Sequence, residues 1–140
     1  METTDYCSYE LSKALKAAGF DEPCDYGYSV KMRLEPEVSF GKPKMAHSKD
    51  PKNYNDNRKG IEKGLSFCSA PHIFHAQKWL REKKGIYAYC EPNCLKKWFA
   101  RAIDLAKNED LLFDGEMFDS FEKATEYAIS AALELIKKGE

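Results

Sequence analysis

The sequence predicts an α+β domain in which about three helices cover one face of an antiparallel sheet made of hairpins. Segments with helical spacing of apolar residues stand at the beginning, middle and end of the chain, and segments with strand-like alternation lie between them. The sequence shows no strand–helix–strand repeat of the kind that builds a parallel sheet. The predicted order is α-β-β-α-β-β-β-α, within a single domain over residues 1–140.

The first part of the chain predicts one helix and one hairpin. Helical spacing over 9–18 joins Leu11, Ala14, Leu15 and Ala18. Ser8 suits the N-cap of this helix and Gly19 its end. From Cys24 to Leu34 apolar residues occupy every even position, which is typical of a half-buried strand. Its predicted antiparallel partner is the short segment Leu65 to Cys68.

Residues 41–64 predict a long, mobile, basic loop inserted at the tip of that hairpin. The segment carries seven Lys or Arg against three Asp or Glu, a net charge of +4, with three Asn, two Pro and few apolar residues. Such a segment has too few apolar side chains to supply a core of its own.

The second part predicts two helices separated by strands. Ser69 as N-cap and Pro71 in the first turn predict the start of a helix that ends at Gly85. Alternation predicts a strand over 86–91, and the aromatic content of 95–105 favours a strand over a helix. A turn at 107–110 and a returning strand at 111–113 support that choice.

The last helix has the clearest predicted start. Asp119 and Glu122 have the spacing of a capping box. One apolar face joins Phe121, Ala124, Ala128, Ala132 and Leu135.

Composition argues against several functional classes. The 22 basic and 23 acidic residues give a net charge of −1, so no protein-wide field favours nucleic acid or membrane. The first residues lack the basic and apolar regions of a secretory signal, and a cytoplasmic location is therefore expected. In that reducing compartment the five cysteines favour free thiols or metal ligands over disulfides.

Two hypotheses concern the cysteines and histidines. Sulfur and imidazole ligands sufficient for a tetrahedral zinc ion are offered by Cys68, His72, His75, Cys90 and Cys94. The alternative is that these cysteines are strand and loop thiols and the histidines decorate a helix end. Cys68 also precedes a predicted helix N-terminus and could be a nucleophile with His72 as base, although most cysteines so placed are inert. No known catalytic motif is present, so no enzymatic activity is expected.

Two surfaces are candidates for binding partners. The basic loop could contact nucleic acid through Lys42, Lys44, Lys49, Lys52, Arg58 and Lys59, with His47 and Tyr54 as stacking groups. The alternative is a simply solvated lysine loop. Tyr87 and Tyr89 beside Trp98 could form an exposed aromatic patch for a protein partner, or else complete a small core.

Three segments carry a resemblance to other proteins. Leu11 to Cys24, Ser69 to Pro71 with Trp79 to Lys83, and Phe118 to Ala124 resemble small uncharacterised proteins encoded by phages and mobile elements of gut bacteria. The resemblance implies the order helix, hairpin, helix, strands and final helix, and it implies no activity, cofactor or site. We therefore expect a non-catalytic accessory protein that acts through a protein partner. The alternative is a zinc-stabilised or nucleic-acid-contacting protein, and no membrane association is expected.

Overall fold

The fold consists of two compact units, each built around its own antiparallel sheet. The computed structural model describes residues 5–34, 37–56, 64–93, 95–112 and 115–139. One unit comprises residues 8–71, and the other comprises residues 1–7 and 72–140. The α+β class is confirmed, with two sheets in the described residues where the sequence predicted one.

The 8–71 unit contains one helix and a three-stranded sheet. Its elements are α1 (Tyr9–Ala17), β1 (Cys24–Leu34), β2 (Glu37–Lys52) and β3 (Leu65–Ser69). The strands lie in the order β2-β1-β3, and both pairs are antiparallel. The predicted pairing of β1 with the segment after residue 64 is confirmed, from Gly27 opposite Ser69 to Lys31 opposite Leu65.

Helix α1 forms as the sequence predicted. The Leu11 amide donates to Ser8 Oγ over 3.3 Å, so Ser8 is the N-cap. After Gly19 the Phe20 amide donates to the Leu15 carbonyl, and both side chains are buried. Tyr9 contacts Tyr28 edge to face, with 5.5 Å between ring centroids, so α1 covers the face of the sheet that Tyr28 occupies.

Strand β2 corrects the predicted loop over 41–64. Residues 41–52 are strand, paired with β1 along its other edge. An edge strand obtains its hydrogen bonds from one neighbour, and lysine and proline are the residues that proteins place on such edges. For that reason 41–52 lacks the apolar alternation of β1. Residues 57–63 lie outside the described part of the chain.

The end of β3 is fixed by residues that follow β2. The Tyr54 amide donates to Ser69 Oγ over 3.0 Å, and the Ser69 amide donates to Asn55 Oδ1 over 2.9 Å. Asn55 Nδ2 in turn donates to the Phe20 carbonyl over 2.7 Å. Ser69 therefore serves the sheet, and its predicted role as a helix N-cap is wrong.

The second unit contains two helices and a four-stranded sheet. Its elements are α2 (Ile73–Lys84), β4 (Ile86–Pro92), β5 (Trp98–Asp104), β6 (Glu109–Leu112), β7 (Met117–Phe118) and α3 (Phe121–Gly139). The sheet order is β4-β5-β6, and β7 pairs with β5. The preference for a strand within 95–105 is confirmed. Helix α3 packs on β4 and β5 through the buried Ala124, Ala128 and Ala132.

Both helix starts in this unit differ from the predicted ones. His72 caps α2, because its Nδ1 accepts the Phe74 amide over 3.2 Å. At α3 the Lys123 amide donates to Ser120 Oγ over 3.1 Å, whereas Asp119 binds the ammonium of Lys97. The predicted Asp119 cap is therefore wrong by one residue.

Among the helices of the described residues, none combines the length and apolar composition needed to cross a bilayer.

Candidate functional site

The cysteines and histidines proposed as zinc ligands are distributed over separate elements. Cys68 lies on β3 in the 8–71 unit, while His72, His75 and Cys90 belong to the second unit. Cys94 lies outside the described residues. Within the described part of the chain, no three His, Cys, Asp or Glu side chains come close enough together to hold a metal ion. The zinc hypothesis therefore has no support in the described residues.

The contacts of His72 and Cys90 give both residues structural roles. His72 caps α2 and its ring contacts those of Tyr6 and Phe74, with centroids 5.5 and 5.2 Å away. Cys90 Sγ lies 3.3 Å from Thr125 Oγ1. This hydrogen bond links β4 to α3. Burial raises the pKa of the Cys90 thiol, and this favours the protonated form.

Cys68 is not prepared to act as a nucleophile. Its side chain is 3% exposed, and burial raises the pKa of the thiol to about 11, although Lys16 and Lys13 lower it. The thiolate is the reactive form of cysteine, and at neutral pH this thiol keeps its proton. The surroundings of Cys68 thus oppose the thiolate that the thiol-enzyme hypothesis requires.

The predicted aromatic patch is divided between the two faces of the second sheet. Residues directly opposite in an antiparallel pair share a face, and neighbours along a strand alternate. Trp98 is opposite Pro92 and contacts Phe121 of α3 edge to face, so it lies on the helix-covered side. Tyr87 and Tyr89 are stacked together on the other side, with ring centroids 4.6 Å apart. These three residues therefore do not form one patch.

The basic residues of β1 and β2 do come together. Ser29 is opposite Lys44, and Lys31 is opposite Phe40. Between these pairs β2 takes four residue steps and β1 takes two, so β2 bulges at 41–43. Gly41, at the start of the bulge, has a φ of +83°, which favours glycine.

This bulge closes a shallow basic concavity on the sheet. Its volume is about 250 Å³, and its lining includes the exposed Lys31, Lys42 and Lys44 together with Ser29 and Leu65. Within the described residues, none of the three ammonium groups lies within ion-pair distance of a carboxylate. We call Lys31, Lys42 and Lys44 with their concavity the basic surface.

The basic surface lies on the face of the sheet that α1 does not cover. Register places Lys31, Ser29 and Lys44 on the side opposite Tyr28. On this side Tyr54 packs over Gly27 and marks one end of the open area. Lys52 lies with its ammonium 4.8 Å from the Tyr54 ring centroid, and His47 contacts Tyr26 at 4.8 Å. Lys52 and His47 thus contact aromatic rings, whereas no such ring contact is found for the three lysines of the basic surface among the described residues.

Sequence reasoning found Lys42 and Lys44 but missed Lys31. Lys31 lies on the polar face of the predicted strand 24–34. It comes near Lys42 and Lys44 only because β1 pairs with β2, and that pairing was not predicted from the sequence because 41–64 was assigned to a loop. Arg58 and Lys59 lie outside the described residues.

Comparison with protein-family models, curated proteins and solved structures finds no match to this chain.

Proposed function

We propose that this chain is a non-catalytic accessory protein that contacts the phosphate backbone of nucleic acid through the basic surface. The observation that carries the proposal is the convergence of Lys31, Lys42 and Lys44 on one open sheet face, with no carboxylate partner among the described residues. Each ammonium that neutralises a phosphate releases condensed counterions, and this release drives sequence-independent binding. The protein partner suggested by the sequence stays a prediction.

The arrangement favours backbone contact over base reading. Lysine carries a compact point charge and lacks the planar fork with which arginine reads guanine. Over 41–52 four lysines stand against one acidic residue, Asp50, so the local field is positive although the chain as a whole has a charge of −1. Binding is therefore expected to be local, weakly selective for sequence and strongly dependent on salt.

A second physical reason for lysine on β2 must be separated from this function. Lysines and prolines on an edge strand discourage pairing with other chains, and β2 carries Pro43 and Pro51 as well as its lysines. Glutamate at the same positions would also discourage such pairing but would repel phosphate. Charge reversal therefore distinguishes the two roles.

The test measures binding of fluorescently labelled single-stranded and duplex DNA by anisotropy across a salt series. We expect the triple variant Lys31→Glu, Lys42→Glu, Lys44→Glu to bind at least about tenfold more weakly at low salt. The slope of log affinity against log salt should fall by about 0.9 per lost duplex contact. Thermal unfolding checks that the variant remains folded.

A matched control changes the net charge equally at exposed positions of the second unit: Lys78→Glu, Lys107→Glu and Lys123→Glu. This control should keep most of the affinity and the salt slope. Equal losses in the two triple variants would mean that only net charge matters, and the proposed surface would be wrong.

A further inference from the structure

A second concavity of the 8–71 unit lies between α1 and β3. Its volume is about 440 Å³, within the range of small-molecule sites. It is lined by Tyr9, Lys13, Lys16 and Ala17 from α1 and by Ser66, Phe67 and Cys68 from β3. Neither the basic surface nor any structural role described above accounts for this cavity.

The two lysines of the cavity differ in their partners. Lys13 Nζ lies 3.2 Å from Glu10 Oε2 and 4.8 Å from the Tyr9 ring centroid. Lys16 Nζ donates to the Phe67 carbonyl over 2.9 Å, and no carboxylate of the described residues lies within ion-pair distance of it. The charge of Lys13 is thus balanced by Glu10, and Lys16 leaves one positive charge at the cavity.

Partial burial makes that charge costly. Lys16 is half-buried, and desolvation lowers the pKa of its ammonium. An ammonium has three donor hydrogens, and the Phe67 carbonyl accepts one of them. The remaining donors are available to an acceptor in the cavity, and an anionic acceptor would also stabilise the charge.

The other walls of the cavity are mainly apolar. Tyr9 offers a ring that is held between Lys13 and Tyr28, while Ala17 and the protonated Cys68 thiol offer small apolar surfaces. Ser66 adds a hydroxyl. A ligand that fits these walls has an apolar body and one charged end.

We infer that this cavity binds a small carboxylate with a short apolar body, and that its carboxylate pairs with the Lys16 ammonium. A monoanion fits because a single positive charge is left uncompensated. The inference does not depend on the proposed function, since α1 covers the face of the sheet opposite the basic surface.

The test compares octanoate with its uncharged analogue octanamide by isothermal titration calorimetry of the full chain. The wild-type protein should bind octanoate at least about tenfold more tightly than octanamide, as expected for a charge-assisted hydrogen bond. Lys16→Met should abolish this difference between the two ligands. Lys49→Met, at an exposed lysine of β2 outside the cavity lining, is the matched control, and it should change octanoate affinity by less than about threefold.

A second measurement holds even where Lys16→Met fails to fold. Octanoate should raise the pKa of Lys16 in the wild-type protein, read from the NMR shift of its Cε during a pH titration, and octanamide should not. Equal affinity for the two ligands, or a Lys16 pKa that octanoate leaves unchanged, would overturn the inference.

Discussion

Gly27 shows how one residue on β1 joins two parts of the 8–71 unit. A Cβ on Gly27 would overlap Cγ and Cδ1 of the Tyr54 ring, so only glycine lets this ring lie flat against the strand. Tyr54 is 7% exposed, and its amide bonds to Ser69, the residue opposite Gly27 on β3. The contact therefore links the segment after β2 to the middle of the sheet.

Replacement of Gly27 by alanine should destabilise the protein. We expect Gly27→Ala to lower the free energy of unfolding by about 1–3 kcal/mol, the usual cost of forcing extra volume into a packed contact. Urea unfolding followed by circular dichroism measures this change. Ser29→Ala, on the same face of β1, is the control and should cost less than about 0.5 kcal/mol. In a Tyr54→Ala background the cost of Gly27→Ala should largely disappear, and an undiminished cost there would show that the Tyr54 ring is not its cause.

At the scale of elements, the sequence predicted those that bury one regular face. Helix α1 and strand β1 each place apolar residues at the period of their structure, and both were found with nearly the right bounds. Strand β2 was missed because it is an edge strand that is held by backbone hydrogen bonds to β1. Such bonds do not require a regular spacing of apolar side chains, so the sequence shows none. The predicted N-caps at Ser69 and Asp119 were wrong because both side chains bind groups distant in sequence. Ser69 Oγ accepts the Tyr54 amide, and the Asp119 carboxylate pairs with the Lys97 ammonium.

The end of β3 depends on the Asn55 side chain. Asn55 accepts from the Ser69 amide and donates to the Phe20 carbonyl, so it joins the outer edge of β3 to the segment after α1. Both partners are backbone groups of buried residues. A buried backbone group that loses its hydrogen bond costs about 1–3 kcal/mol.

Asn55→Ala should therefore lower the free energy of unfolding by about 2 kcal/mol and speed hydrogen exchange at the Ser69 amide. Asn55→Asp keeps an acceptor for Ser69 and loses the donor to Phe20, so its Ser69 amide should stay protected while stability falls. Urea unfolding and amide exchange by NMR measure the two effects. If the Ser69 amide exchanges at the wild-type rate in Asn55→Ala, the bond from Ser69 to Asn55 has no protective role.

At the scale of the whole molecule, strand register decides which candidate residues become neighbours. Lys31 and Lys44 are distant in sequence and become neighbours only through the β1–β2 pairing and its bulge. Cys68 and His72 are four residues apart in sequence, and the chain divides into its two compact units between them. Composition and spacing could supply the residue types of a site, but they could not supply these pairings.

The buried thiols, which occur in both units, make the stability of the protein depend on pH in the alkaline range. Burial raises the pKa of Cys24 to about 12 and that of Cys68 to about 11, from an ordinary value of 9.0, and it also raises the pKa of Cys90. Cys7, Cys24, Cys68 and Cys90 are all free thiols. The folded protein therefore holds thiol protons over a pH range in which the unfolded chain has released them.

Because the folded state binds more protons than the unfolded state above pH 9.0, stability must fall as pH rises there. The stabilisation is fully present below pH 9.0 and is lost as pH rises through 11 and 12. Each thiol contributes at most about 1.4 kcal/mol per pH unit, and the lowered pKa of Lys16 opposes part of the loss.

We expect urea unfolding under reducing conditions to give a free energy that is flat from pH 7 to 8 and declines by about 1 kcal/mol or more per unit between pH 9 and 10.5. The double variant Cys24→Ala, Cys68→Ala should show a much shallower decline in this range. A decline as steep as that of the wild type would mean that other groups, such as the buried Tyr54, carry the dependence.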